Sequence, residues 1–286
     1  MRFFERTGDN TLLPSLLRIV IVIATSIVRE SKSDIFFLGI KRLLVLSILS
    51  ALILLVLVWN HLGFLLDDIF FPDWSQTQIH QPVFIIGNAR SGTTYMHKLM
   101  CMNPKFESFR TWEILFGQSI TFRKLILILY KLDLWFGSPF SQCISSIECL
   151  LWGKVHVHAI GLSEFEEDEW LMISIGMCQL LLMMFPLAFD DCLGLLVYFD
   201  ELPQQTRAQV YSFYLNCVKK RMYNKSEKIF ISKNPTFTLR ILSILEKFKG
   251  AKFICMVRDP SGEIESPKEN SMLIMLQILC LLWCRT

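Results

Sequence analysis

Residues 87–94 read Gly87-Asn88-Ala89-Arg90-Ser91-Gly92-Thr93-Thr94. Two glycines stand five positions apart, a cation lies between them, and two hydroxyl residues follow at the start of a helical stretch. Glycine allows a tight turn, and the backbone amides that open the following helix converge on an anion. This is the chemistry of a phosphate-binding loop. The lysine that clamps the β- and γ-phosphates of a nucleoside triphosphate is missing, because Thr93 and Thr94 occupy the places of Lys and Ser/Thr. Arg90 is the substitute cation, aimed at the 5′ end of a nucleotide.

Further residues with site chemistry follow. Arg258 comes directly after the apolar run Phe253-Ile-Cys-Met-Val257, where the crevice of an open parallel sheet binds its ligands. Lys233 stands in Ser232-Lys233-Asn234-Pro235 after a similar run, and Glu113 follows Phe109-Arg-Thr-Trp. Two histidines, His156 and His158, precede a cluster of acids from Glu164 to Glu169. Ser163 with Glu166 has capping-box spacing, and acids favour a first helical turn, so this cluster reads as a helix start rather than a metal site. The nine cysteines contain no Cys-x-x-Cys pair and sit mostly in apolar runs, which fits buried free thiols.

These residues need a frame. Residues 82–86 form a compact apolar strand ending at Gly87, and Thr93 to Met102 continues as a helix. Residues 228–232 are a second strand, 236–248 a helix and 251–257 a third strand. Strand, helix and strand of such lengths form a crossover unit, hence an α/β fold with a parallel sheet flanked by helices. Leu171 to Phe189 carries no charge and reads as a buried helix of the same domain.

On these residues the chain resembles the PAPS-dependent sulfotransferases. Arg90-Ser-Gly-Thr-Thr94 is similar to their 5′-phosphosulfate loop, built on a P-loop NTPase-like sheet. The resemblance implies that Gly87, Arg90, Ser91, Gly92, Thr93 and Thr94 hold the phosphosulfate. It implies that Arg258 and Ser266, eight residues apart, hold the 3′-phosphate. Lys233 matches the Lys-Asp-Pro segment of tyrosylprotein sulfotransferases and is implied to be a catalytic cation beside Arg90. Sulfuryl transfer needs a base for the acceptor hydroxyl. Glu113 is the candidate, two residues beyond the family's spacing, with Glu107 and His97 as rivals. The run before the apolar stretch at 171 also resembles bacterial-type and membrane-associated sulfotransferases, which leaves Glu167 or Glu169 open for an acceptor-side role. PAPS is the implied co-substrate, and no metal is implied. The alternatives are a P-loop kinase or NTPase, disfavoured by the missing Walker lysine, and a non-catalytic, truncated nucleotide-binding membrane protein.

The 24 residues from Leu43 to Leu66 contain no Asp, Glu, Lys or Arg, and mean hydropathy is +0.43 over the chain. A helix of this length is about 36 Å, enough for the hydrocarbon core. Residues 1–42 carry seven basic and four acidic groups, whereas 67–286 carry 22 of each. Lys41 and Arg42 therefore place the N-terminus in the cytoplasm. The organisation expected is a cytoplasmic or interfacial segment at 1–42, a transmembrane helix at 43–66 and a sulfotransferase domain at 67–286. The alternative is that this helix packs on the domain. In a eukaryotic cell the domain would be lumenal, where Asn224-Lys-Ser226 is a glycosylation sequon. A membrane-tethered enzyme suits a glycan, glycolipid or other lipid-like hydroxyl acceptor, and the net charge of +3 gives no nucleic-acid surface. Twenty residues follow Ser266. The resemblance implies a longer chain there, with a loop that closes over the nucleotide, so weak nucleotide binding by a shortened domain is expected.

Overall fold

A computed structural model of the chain describes residues 17, 19–20, 39–88, 91–152, 161–178 and 199–258. Four parallel strands, β1 (Val83–Gly87), β2 (Phe106–Glu107), β3 (Ile229–Lys233) and β4 (Lys252–Met256), pair in the order β2-β3-β1-β4. The three strands expected from sequence are β1, β3 and β4, each within about a residue of its expected limits. β1 lies between its two partners and is buried at every position, which is what an unbroken Val-Phe-Ile-Ile run predicts for a strand covered on both faces.

Alternation along β1 divides the interior. Phe84 faces Phe237, Phe248 and Phe253, and this aromatic layer extends through Tyr214 to Tyr211 on the following helix, α6 (Gln204–Met222). Val83 and Ile85 face the other way with Ile231, against Met96 and Met100 of helix α2 (Thr93–Cys101). The sheet thus has helices on both faces.

Among the described residues the remaining α-helices are α1 (Gly39–Phe70), α3 (Thr111–Phe116), α4 (Ile120–Trp135), α5 (Pro139–Trp152) and α7 (Ile241–Lys247). Two expected helices differ. The helix expected over 236–248 is broken into a 3-10 turn, Pro235–Leu239, and α7. Arg240 at the junction has φ −135° and turns its fully buried guanidinium toward Glu169. The helix expected from Leu171 is a 3-10 segment, Asp168–Ile175, which ends at Gly176 in a left-handed conformation with φ +68°. The rest of that expected helix, 179–189, lies outside the described residues. The Ser163–Glu166 capping box does not form. Residues 161–167 are turn and bridge, and the Glu166 carboxylate accepts from the Glu167 amide.

Within α1, Ser47–Phe70 is long and apolar enough to cross a membrane. The helix is longer than the sequence suggests, and its second half also packs on the domain. Ile53, Leu57, Asn60 and Asp67 are buried, a seam repeating every three to four residues. Asn60 donates to the Leu115 carbonyl at 3.0 Å, and Trp59 stacks on Phe122 at 3.9 Å. Asp67 ends the seam. Its carboxylate accepts from the amides of Ile120 and Thr121, which opens α4, and pairs with Lys220 at 2.9 Å, both groups being buried.

Two outcomes follow from this packing. Asp67→Ala leaves an unpaired ammonium in the interior and uncaps α4. A loss of about 3–5 kcal/mol is expected in a urea titration, and adding Lys220→Met should recover part of it. A loss below about 1 kcal/mol would mean that the pair behaves as a solvated surface bridge.

The second outcome concerns His97, buried on α2 with Nε2 2.9 Å from the Ser108 hydroxyl. Burial, with Lys233 and Lys98 nearby, lowers its pKa to about 3. The unfolded chain gains this proton near pH 6.5 and the folded chain only near 3, so acid favours unfolding across that window. Between pH 7 and 5 this group alone removes about 2 kcal/mol. His97→Gln should lose correspondingly less over the same range. Parallel pH profiles for the two proteins would exclude His97 as the cause.

Candidate functional site

The carboxyl ends of β1, β3 and β4 define one edge of the sheet. Ligands of open parallel sheets bind at this edge. Gly87 ends β1 with φ +142°, and a Cβ there would stand 2.4 Å from the Met256 carbonyl oxygen of β4. Only glycine meets both conditions, so the turn out of β1 is fixed by β4. Ser91 closes the turn, its amide and hydroxyl both donating to the Asn88 carbonyl, at 3.2 and 2.7 Å. Gly92 is the N-cap of α2, whose first residues are Thr93, buried, and Thr94, half-buried. The described residues thus give a strand end fixed by glycine and a glycine-capped helix start. Arg90 lies outside the described residues, as do Ser266, His156 and His158.

A second anchor ties this loop to the segment after β3. The Gly87 amide donates to the Thr238 hydroxyl at 3.1 Å, and the Asn234 amide donates to the Ile85 carbonyl at 3.1 Å. The Thr236 hydroxyl is buried with no hydrogen-bond partner among the described residues. Lys233 is the last residue of β3, in register with Ile85. Arg258 lies two residues beyond β4, whose end pairs with Gly87, and it is exposed. Lys233, Arg258 and the loop therefore share one edge.

Facing Lys233 is the acidic segment. Its ammonium is buried and contacts Glu167 at 2.6 Å. The segment is held rigidly. Lys98 of α2 pairs with Glu164 at 2.7 Å, and Arg240 pairs with Glu169 at 3.1 Å. Asp168 accepts from Ser232 at 2.7 Å, from Tyr214 at 2.5 Å and from the Asn234 side chain. Glu166 is half-buried beside Lys233 and Glu167. Burial raises its pKa against the pull of Lys233, and the charge of Glu167 adds to the rise.

The candidate bases fare differently. Glu113 is buried on α3, where it accepts from the Arg110 amide at 2.9 Å and pairs with Arg221 at 3.1 Å. The Glu113 carboxylate is thus engaged by a guanidinium and a helix start. Glu107 meets Arg221, Lys225 and Lys228. Burial alone would raise its pKa, yet these cations hold it down at about 2. Glu169 is taken by Arg240. The carboxylates beside Lys233 are Glu166 and Glu167. Sequence reasoning left Glu167 open but treated Glu166 as a cap and missed the Asp168 network. The available signal was an acidic run with few bases nearby, set directly before apolar residues.

No family model matches the chain. By sequence it is 27% identical over 183 residues to omega-hydroxy-beta-dihydromenaquinone-9 sulfotransferase Stf3 of Mycobacterium bovis and of Mycobacterium tuberculosis. That match covers 63% of this chain and 42% of the relative, so it spans less than half of the relatives' length. By structure the chain is similar to sulfotransferase STF1 from Mycobacterium tuberculosis, with TM-score 0.60, 15% identity, and 86% of this chain and 61% of that one covered. Sulfotransferase STF9 from Mycobacterium avium superposes with TM-score 0.56, 16% identity, and 88% and 57% covered. In sequence the chain is thus similar to mycobacterial sulfotransferases, and it shares the fold of STF1 and STF9.

Proposed function

We propose that this chain binds PAPS at the carboxyl edge of the sheet and transfers its sulfuryl group to a hydroxyl of a lipid-like or glycan acceptor. The observation that carries the reading is Lys233 at the end of β3, buried beside the phosphate-type loop and aimed into an acidic segment. Similarity to Stf3, whose name specifies a menaquinone-derived acceptor, supports a lipid-like hydroxyl compound.

In this reading the amides of 92–94 with Arg90 take the 5′-phosphosulfate, while Arg258 and Ser266 take the 3′-phosphate. The acceptor oxygen attacks sulfur in line, the bond from sulfur to the bridging phosphate oxygen breaks, and PAP leaves. Lys233 stabilises the charge that develops on the transferring group. Glu166, whose proton affinity is raised, accepts the hydroxyl proton, and Glu167 orients Lys233. Residues 67–286 form the catalytic unit and α1 its membrane attachment. The basic flank Lys41-Arg42 favours a cytoplasmic N-terminus.

Two measurements test the assignment. Competition binding should find PAP preferred over ATP. Arg258→Ala should weaken PAP by roughly tenfold or more while adenosine 5′-phosphate is little affected. Equal losses for the two ligands would remove the 3′-phosphate role.

For the chemical step, Lys233→Ala and Glu166→Gln should retain PAP binding and lower turnover, the latter by about 10²–10⁴-fold. A Glu166→Gln protein with undiminished turnover would exclude this base.

A further inference from the structure

Helices α4 and α5 form a hairpin whose apolar residues face outward. Beyond its buried base at Ile120, Phe122 and Arg123, α4 exposes Leu125, Ile128, Leu129, Leu132 and Trp135, with Phe136 after its last turn. These positions repeat at three- and four-residue intervals and make one stripe. Leu127, Tyr130 and Leu134, on the remaining surface, are exposed as well. On α5, Phe140, Ile144 and Ile147 continue the apolar surface. Trp135, Phe136 and Phe140 at the tip are 79%, 71% and 74% exposed. A helix that is apolar all round belongs in a core or in lipid, and this hairpin is outside the core.

The tip is built rather than loose. The Asp133 carboxylate accepts from the amides of Phe140 and Ser141, at 2.8 and 2.9 Å, and from the Ser141 hydroxyl at 2.5 Å, while its carbonyl accepts from the Ser138 amide. Of the four charges from Lys124 to Trp152, three have such duties. Asp133 caps α5, Glu148 accepts from the Leu162 amide, and Lys124 lies 4.1 Å from the centre of the Phe71 ring. Lys131 falls seven residues after Lys124, on the same border of the stripe.

The base of the hairpin meets α1, through Trp59 stacked on Phe122 and Asp67 at the start of α4. The outer face of α1 is itself apolar and exposed, at Leu44, Leu52, Leu55, Leu62, Leu65 and Ile69. We infer that the α4–α5 hairpin inserts into the same bilayer leaflet that α1 contacts, so that the domain is seated on the membrane by two elements. A protein partner would cover one side of the hairpin, whereas lipid surrounds it. From Lys124 to Trp135 α4 rises about 18 Å, close to one leaflet's share of a hydrocarbon core of about 30 Å. The apolar tip at Trp135, Phe136 and Phe140 then lies in hydrocarbon, Lys124 lies at the anionic surface and Lys131 reaches toward it by snorkelling. The other end of the hairpin reaches the acidic segment through the Glu148–Leu162 contact at 2.7 Å. Under the function proposed above, the bilayer then meets the protein on the acceptor side of the site. That consequence rests on the sulfotransferase reading, but the membrane contact does not.

The full chain is reconstituted in phosphatidylcholine–phosphatidylserine vesicles with a photo-crosslinking amino acid at Phe136, at Phe140 or, as control, at exposed Lys249. Mass spectrometry after irradiation is expected to find lipid adducts at 136 and 140 several-fold above the control. Cross-linking to a second copy of the chain, or lipid adducts no more abundant than at Lys249, would overturn the inference. Neither result depends on PAPS or on turnover, so failure of the membrane contact is separable from failure of the functional reading.

Discussion

Asp168 is a buried carboxylate whose described partners are all neutral: the Tyr214 phenol, the Ser232 hydroxyl and the Asn234 amide. Burial pushes its pKa up to about 6 in spite of those three donors. Keeping it ionised at neutral pH costs about 3 kcal/mol on that basis. The cost is informative because the three donors come from a helix, a strand and the turn that follows the strand. Together they pin the acidic segment to the end of β3. Lys233 lies between Ser232 and Asn234, so the same contacts fix where its ammonium emerges and which carboxylate it meets. Thr238, four residues beyond Asn234, holds the amide of Gly87. The phosphate-type loop, the lysine and the acids are thereby placed relative to one another by one polar network.

A second buried cluster has a different purpose. Arg221 on α6 donates to the Ser108 carbonyl and pairs with both Glu107 and Glu113. It joins β2 and α3 to the helix that covers the sheet. Removing one member of such a cluster strands a buried charge, whereas the intact cluster adds little net stability. Its contribution is to set the path of the chain between β2 and α3. Glu113 belongs here.

The sheet and loop were legible in sequence because their signals are local. Apolar runs of five residues bounded by Gly, Pro or Lys identify β1, β3 and β4, and the glycine spacing identifies the loop between β1 and α2. Which carboxylates meet Lys233 was not legible, because that is defined by contacts across the fold. Glu113 and Glu167 are both glutamates near helix starts, and only the position of Arg221 or Lys233 distinguishes them. The break in the helix expected over 236–248 has the same origin. Each residue there can be helical, but Arg240 is drawn inward to Glu169 and Thr238 to Gly87, and these tertiary contacts outweigh a small local preference.

Helix α1 shows how hydropathy alone merges two different faces. Averaged along the chain, Leu43–Leu66 is a uniform apolar segment, as a membrane span would be. Around the helix it is divided, with Ile53, Leu57, Asn60 and Asp67 against protein and the leucines of the other face open. Asn60 and Asp67 are seven residues apart and completely buried, Asn60 donating to the Leu115 carbonyl as well as to Val56 of its own helix, and Asp67 pairing with Lys220. An amide within an otherwise apolar run is expensive in lipid and therefore signals a protein neighbour on that side. The polar pair marks the docking seam, and the apolar residues of the opposite face stay exposed. One helix can then hold the domain and contact the bilayer together, because the two requirements fall on opposite faces of the same turns.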